Sequence, residues 1–299
     1  MAFIGLLLGE QLDFPGEEHQ RLSPVDGSSL RPWTEVEPGV LDPLITQLKT
    51  LNLSAEADLK ARSAALLQLA SDLERDSASL ARLITMENGC PVAQSVGLQV
   101  QSAVALIRSL VEQASEFAFT EERAGARGGK VRIDRLPVGI ALGIVPCNVP
   151  VFLACLKLPT ALLAGCPVVL KPSPENVDSM ALFSRYLARM DLPTGAVNLI
   201  LGGRVLGDHL VRNDVFRKVS FTGSSASGLA VAQLCAQRFA RVTLELGGKS
   251  SAILLDDVDF SAVKDQLWLA MLQNNGQVCG AQSRVLIPKS RAPELRSAL

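Results

Sequence analysis

The sequence predicts an α/β protein in which a Rossmann-like parallel sheet is covered by helices on both faces. Two observations predict it. From Val138 onward, short apolar, strand-like runs alternate with helical segments, the pattern of strands buried on both faces. The chain also has 299 residues, 48% hydrophobic and 20% charged, which is far from a disordered composition and supplies a large core and about two domains.

The first 50 residues (LSPVDGSSLRPW, EPGVLDP) are rich in Pro, Gly and Asp and read as irregular structure or short hairpins. Ala2–Gly9 is apolar, but no basic region precedes it and Glu10 ends it, so it does not read as a signal peptide. From Ser54 to about Met86 the apolar residues Leu59, Ala65, Leu66, Leu69, Leu73, Leu80, Leu83 and Ile84 recur three and four apart, which predicts amphipathic helices. A further helix covers about Ala93–Phe119. Glu121–Lys130 is a charged, Gly-rich connector and Val131–Pro137 a short edge strand.

Strands are then expected at Gly139–Val145, Pro167–Leu170, Val197–Leu201, Lys218–Phe221 and Val242–Glu245. The helices between them fall at Val151–Ala164, Asn176–Met190, Val205–Arg212 and Ser225–Phe239. The resulting division is an N-terminal part of a cofactor domain (1–120), a connector and strand (121–137), the sheet core (138–246) and the start of a second domain (247–299).

Several function classes fall away. With 29 Lys and Arg against 30 Asp and Glu, a net charge of −1, no positive field exists to attract nucleic acid or an anionic membrane. Leu136–Leu170 is long enough to span a bilayer and carries one charge, Lys157. Pro137, Pro146, Pro150, Pro159 and Pro167 interrupt it, however, and a buried strand–helix–strand unit fits better. The two histidines, His19 and His209, lie far apart, so no metal site is expected. The six cysteines form no CxxC pair and read as reduced, mostly buried thiols of a cytoplasmic protein.

Doubly wound sheets bind ligands at the carboxyl ends of their strands. The loops there read Pro146-Cys147-Asn148-Val149-Pro150, then Lys171-Pro172-Ser173-Pro174-Glu175, then Phe221-Thr222-Gly223-Ser224, and Glu245-Leu246-Gly247-Gly248-Lys249-Ser250. Downstream comes Asn274-Asn275-Gly276-Gln277-Val278-Cys279. This ordered set, within about Pro24–Pro288, resembles the aldehyde dehydrogenase superfamily with its PWN, KPSE, FTGS, ELGGKS and NxGQxC motifs.

The resemblance implies an oxidoreductase that converts an aldehyde to a carboxylic acid with NAD or NADP. Cys279 is then the nucleophile, forming a thiohemiacetal and a thioester; the plainer reading is a buried structural thiol. Glu245 is the general base that activates water, in place of a surface carboxylate at a strand end. Seated partly in an apolar sheet end, such a carboxylate would have its pKa raised toward working pH. Asn148 is the oxyanion donor, with an Asx-turn between two prolines as the alternative.

The cofactor-binding positions implied are Pro146, Lys171, Ser173, Glu175, Gly223, Ser224 and Gly247. Gly223-Ser224 opens a helix whose amides and dipole suit a pyrophosphate, and Gly228 on the first turn lets helix and strand pack closely. The GxGxxG fingerprint is absent. Two positions depart from the pattern: Cys147 stands where the family often has Trp, and Pro174 where it often has an acid that binds the ribose. The second leaves NAD versus NADP open.

The family's catalytic domain continues well past its cysteine motif, and this sequence ends 20 residues after Cys279. The expectation is therefore an incomplete aldehyde dehydrogenase-like fold with exposed apolar faces. The alternative function is a catalytically silent, truncated dinucleotide-binding fragment that associates with full-length relatives. The complete form is expected to be a homo-oligomer, dimer or tetramer, assembled through the Lys130–Pro137 strand. The expected partner is a small-molecule aldehyde of undefined identity.

Overall fold

A computed structural model of the chain describes residues 5–12, 14–51, 53 and 58–298. The chain begins with β1 (Gly5–Leu7) and β2 (Glu10–Leu12), the hairpin β3 (Glu17–Leu22) and β4 (Ser29–Glu35), and α1 (Asp42–Gln47). Helices α2 (Leu59–Arg75), α3 (Ser77–Asn88), α4 (Val92–Gln94) and α5 (Ser102–Ser115) follow, the last two joined by a π-helical turn, Ser95–Gln101. Ser54–Ala57, where the first long helix was expected to begin, lie outside the described residues. A second hairpin, β5 (Thr120–Ala124) and β6 (Lys130–Asp134), leads into the alternating region.

That region is β7 (Ile140–Ile144), α6 (Pro150–Leu163), β8 (Val168–Lys171), α7 (Val177–Leu187), β9 (Val197–Ile200), α8 (Arg204–Arg212), β10 (Phe216–Gly223), α9 (Ser225–Gln237) and β11 (Arg241–Leu246). The last segment holds β12 (Ser251–Ile253), α10 (Phe260–Leu272), β13 (Arg284–Leu286) and α11 (Ala292–Ala298).

The main sheet runs β11-β10-β7-β8-β9-β1-β2. Its first five strands are parallel, as the alternation predicts, and β1 and β2 are added antiparallel. The run 136–170 folds as β7-α6-β8, with β8 and most of β7 buried. No helix among the described residues is long and apolar enough to cross a membrane.

Two apolar layers cover the sheet. One packs Leu66, Leu69, Leu80, Ile107, Leu158 and Phe183 from α2, α3, α5, α6 and α7 against Ala141, Val168 and Leu199. The other packs Ile45, Leu206, Leu210, Val231 and Cys235 from α1, α8 and α9 against Leu142, Val169 and Val219. A small separate cluster, Ala252, Phe260, Leu267 and Leu295, holds the last segment together.

Two expectations need correction. The first 50 residues are not only loops and hairpins, because β1 and β2 extend the main sheet. Without β1, β9 would present an unpaired edge. Asn198 fastens the two strands: its side-chain amide donates to the carbonyls of Val168 (3.1 Å) and Gly195 (2.7 Å), and its Oδ1 accepts the Leu8 amide (2.9 Å). Likewise, Glu121–Lys130 is not merely a connector. Its first half belongs to β5, which pairs antiparallel with β6 from Thr120↔Asp134 to Ala124↔Lys130. This hairpin is tied by charges, Lys130 to Glu122 (2.8 Å) and Arg135, just past β6, to Glu121 (2.5 Å). No apolar alternation therefore marks β5 in the sequence. Gly128 and Gly129, at φ 85° and 78°, make the turn.

The β3–β4 hairpin is fixed to the helical layer by a buried charge cluster. Arg21 reaches Glu87 on α3 (3.2 Å) and Asp178 on α7 (2.7 Å), while Glu87 accepts the amide of Asp178 (2.6 Å). The carboxylate thus satisfies amides at the start of α7 that have no partner within the helix.

Candidate active site

Strand register puts the four loops at one end of the sheet. Ile144 pairs with both Lys171 and Phe221, Phe221 with Leu244, and Thr222 with Glu245. Pro146–Asn148, Lys171, Gly223-Ser224 and Glu245 therefore leave the sheet at the same level, where a parallel sheet opens its ligand crevice.

The last segment folds back onto this end. After α10 the backbone enters the left-handed region at Asn274 (φ 51°), Asn275 (φ 56°) and Gly276 (φ 77°), a conformation that Asn and Gly adopt at least cost. The turn carries Cys279 into an exposed position. The side-chain amide of Asn148 donates to the Gln277 carbonyl at 2.6 Å, so the Asn148 loop and the cysteine turn are joined directly. A single hydrogen bond uses one of the two N–H bonds of that amide.

Asn148 and Cys279 line a cavity of ≈ 400 Å³ together with Pro146, Cys147, Gly223, Ser224, Glu245 and Gly247. Its remaining wall is apolar apart from Thr222: Leu98, Val149, Phe152, Leu153 and Val278. A Cβ placed on Gly248 would lie 3.5 Å from the Cys279 carbonyl oxygen, so the two-glycine turn runs close beside the cysteine backbone. The apolar seat expected for Glu245 is absent. Its side chain is exposed and stands between this cavity and a second one of ≈ 490 Å³ lined by Lys157, Leu142 and Thr243.

Lys157 is the charge that the apolar run 136–170 carries into the interior. Its ammonium donates to Ser220 Oγ (2.9 Å) and Thr222 Oγ1 (2.8 Å). Burial pulls its pKa from 10.5 down to about 8, against the opposing charge of Glu245 and with the help of Lys218. Lys171 is drawn down to about 8 as well, by burial, with Glu35 and Glu175 opposing.

A buried lysine whose folded pKa lies below its unfolded value binds fewer protons folded than unfolded between the two values. Stability should therefore rise with pH from about 8 to about 10.5, each lysine contributing of order 1–3 kcal/mol. Urea unfolding of Lys157→Met at pH 8 and pH 10 should show a smaller gain over that interval than the unsubstituted chain. Equal gains would contradict this account of the buried ammonium.

A third cavity, ≈ 320 Å³, lies between α8 and α9 and is lined by Lys171, Gly203, Arg204, Gly207, Phe221, Ser227 and Val231 among others. Ser173 and Glu175 lie outside that lining and bond to each other, Ser173 Oγ to the Glu175 carboxylate. Ser224 is the N-cap of α9: its hydroxyl accepts the Ser227 amide (3.2 Å), as N-cap residues do. Gly228 allows the close packing expected of it, since an added Cβ would meet Leu246 at 2.5 Å. Cys90, Cys155, Cys166 and Cys235 are buried, and burial pushes their thiols up. Among the described residues no group of three or more His, Cys, Asp or Glu could hold a metal ion.

The model of the Aldehyde dehydrogenase family matches residues 46–299. The chain belongs to that family. Among curated aldehyde dehydrogenase relatives, it is 38% identical over 245 residues to the geranial dehydrogenase of Castellaniella defragrans, covering 82% of this chain and 51% of that protein. It is 32% identical over 280 residues to the phenylacetaldehyde dehydrogenase of Pseudomonas fluorescens, covering 90% and 55%. Its fold matches PnpE in complex with nicotinamide adenine dinucleotide, with TM-score 0.91 and 28% identity over 99% of this chain and 61% of that one. It also matches a mutant of aldehyde dehydrogenase C from Pseudomonas syringae complexed with NAD+ and octanal, with TM-score 0.92, 26% identity and the same coverage. The chain thus spans about half the length of the curated aldehyde dehydrogenases it matches.

Two groups beside the sites had no site role assigned from the sequence. Lys157 was legible as the lone charge in a long apolar run. Glu35, which accepts the Gly203 amide at 3.0 Å next to Lys171, carries no sequence signal, because it arrives from a distant hairpin.

Proposed function

We propose that the chain carries the cofactor-binding and nucleophile-bearing part of an NAD(P)-dependent aldehyde dehydrogenase. The observation that supports this most is the single cavity shared by Cys279, Asn148 and Glu245 with the Gly223-Ser224 helix start. The Cys279 thiolate adds to the aldehyde carbon, and the carbonyl π pair moves to oxygen. The free N–H of Asn148 steadies that oxyanion, a contribution worth about 2.7–4 kcal/mol. Hydride loss from the same carbon leaves a thioester on Cys279. Glu245 takes a proton from water as it adds to the thioester; collapse expels the thiolate and releases the carboxylic acid. An aldehyde and water thus give an acid, two electrons and two protons.

The nicotinamide, when bound, supplies the acceptor for the hydride. The residues fit a dinucleotide. The N-terminus of α9, a helix of 13 residues, opens on the reaction cavity, where its free amides favour phosphate. The Lys171 ammonium stands in the α8–α9 cavity, suited to the adenosine end. Pro146, Gly223, Ser224 and Gly247 then contact the cofactor from the reaction cavity. Ser173 and Glu175 act beside Lys171. The apolar wall of Leu98, Phe152, Leu153 and Val278 favours an aldehyde with an apolar chain, in line with the substrates in the relatives' names.

Six free cysteines support a reducing compartment, and we place the protein in the cytoplasm. The β5–β6 hairpin forms a two-stranded sheet of its own, which supports assembly as a homodimer or homotetramer.

One observation favours a second reading, a dinucleotide-binding fragment that does not turn over. Trp268, Leu269 and Leu272 on α10 are 40%, 57% and 51% exposed, and Ile253 and Leu286, paired across β12 and β13, are also open, exposed apolar side chains suited to an association surface. Mixing the chain with octanal and either NAD+ or NADP+ separates the two. Aldehyde-dependent appearance of reduced cofactor supports the dehydrogenase; cofactor binding without any reduction supports the silent fragment.

A further inference from the structure

Asn148 has a second connection that the reaction does not use. Its backbone carbonyl accepts three side-chain amides: Asn88 Nδ2 at 3.0 Å, Gln99 Nε2 at 3.0 Å and Asn274 Nδ2 at 2.9 Å. The preceding carbonyl, of Cys147, accepts Asn88 Nδ2 (3.1 Å) and Asn176 Nδ2 (3.3 Å). A carbonyl oxygen has two lone pairs, so three donors on one oxygen mark a point held by more bonds than satisfaction alone requires.

The same short segment holds the cysteine turn. Gln94 Oε1 accepts the Asn274 amide (2.6 Å), the Gly89 carbonyl accepts Asn275 Nδ2 (2.8 Å), and the Asn88 carbonyl accepts Gln277 Nε2 (3.3 Å). Gln99 is fully buried and sits in the π-helical turn Ser95–Gln101. Such turns interrupt the regular hydrogen-bond ladder and recur at functional sites. Here the widened turn lies in the segment from which Gln99 reaches the oxyanion loop.

We propose that Asn88 and Gln99 are positioning residues: from the α3–π-turn segment they clamp the backbone of Asn148 so that its side-chain amide meets the oxyanion formed on Cys279. Neither touches the reacting atoms in this arrangement. The clamp sets the distance between two loops 126 residues apart, one from the sheet and one from the last segment. Misplacement of a catalytic group by about 1 Å can cost on the order of 10²-fold in rate, so donors that hold a backbone carbonyl translate into turnover. The inference rests on the reading that Asn148 stabilises the oxyanion.

The test is a double-mutant cycle in the natural chain with octanal and NAD+. Gln99→Met keeps the buried volume and removes the donor. It should lower kcat about tenfold with KM for NAD+ and the thermal midpoint unchanged. In an Asn148→Ala background it should have no further effect on kcat, because the group it positions is gone. Asn88→Ala should behave the same way and covers the case in which the buried Gln99 variant folds poorly. Equal losses in both backgrounds, or no loss in either, would overturn the clamp while leaving the dehydrogenase reading intact. An unsubstituted chain with no aldehyde oxidation would overturn both.

Discussion

Cys279→Ala is expected to abolish aldehyde-dependent formation of reduced cofactor while NAD(P)+ affinity is retained. No second thiol stands ready to replace it. Cys147 lines the same cavity, but burial and the nearby Glu175 carboxylate push its thiol up, which leaves little thiolate to attack a carbonyl. The other four are buried in the two layers that cover the sheet. Loss of a covalent nucleophile typically costs on the order of 10⁶ in kcat, so turnover should fall to background. Cofactor binding, which the proposed function assigns to Lys171 and the start of α9, should be measured in parallel by fluorescence titration. Retained turnover in the alanine variant would remove Cys279 from the chemistry. Lost cofactor binding would show that the substitution had collapsed the site instead.

Glu245→Gln should separate the two halves of the reaction. Thiol addition and hydride loss do not require this carboxylate, whereas hydrolysis of the thioester needs a base for the attacking water. A rapid burst of one reduced cofactor per site should therefore survive, followed by steady turnover slowed by about 10²–10⁴-fold. The exposed position of Glu245, open to two cavities, gives it room to reach a water beside Cys279. Parallel loss of burst and steady rate would assign Glu245 to an earlier step.

Most of the sheet was legible in the sequence because its strands are buried on both faces and so read as continuous apolar runs, as in Val168–Leu170. A helix start was legible where chemistry marks it, as at Gly223-Ser224 before α9. The misses share a cause. β1 joins the sheet through β9, which lies far along the chain, and β5 is a solvent-facing strand held by ion pairs, so neither writes a local apolar period.

The candidate site divides in the same way. Motif residues could be named from the order of the loops, but their supports could not. Asn88 and Gln99 lie in α3 and the π-turn, and only the tertiary structure shows that their amides converge on the Asn148 carbonyl. The exposure of Glu245 also lay beyond the sequence, because an apolar strand says nothing of what covers its end.

The central claim, that Cys279 carries the acyl group with Asn148 and Glu245 around it, is tested most directly by mass spectrometry of Glu245→Gln quenched in acid during reaction with octanal and NAD+. The account predicts the added mass of an octanoyl group on the peptide containing Cys279, absent when NAD+ is left out. An unmodified Cys279 peptide after a full burst of NADH, or the acyl group on another residue, would contradict it.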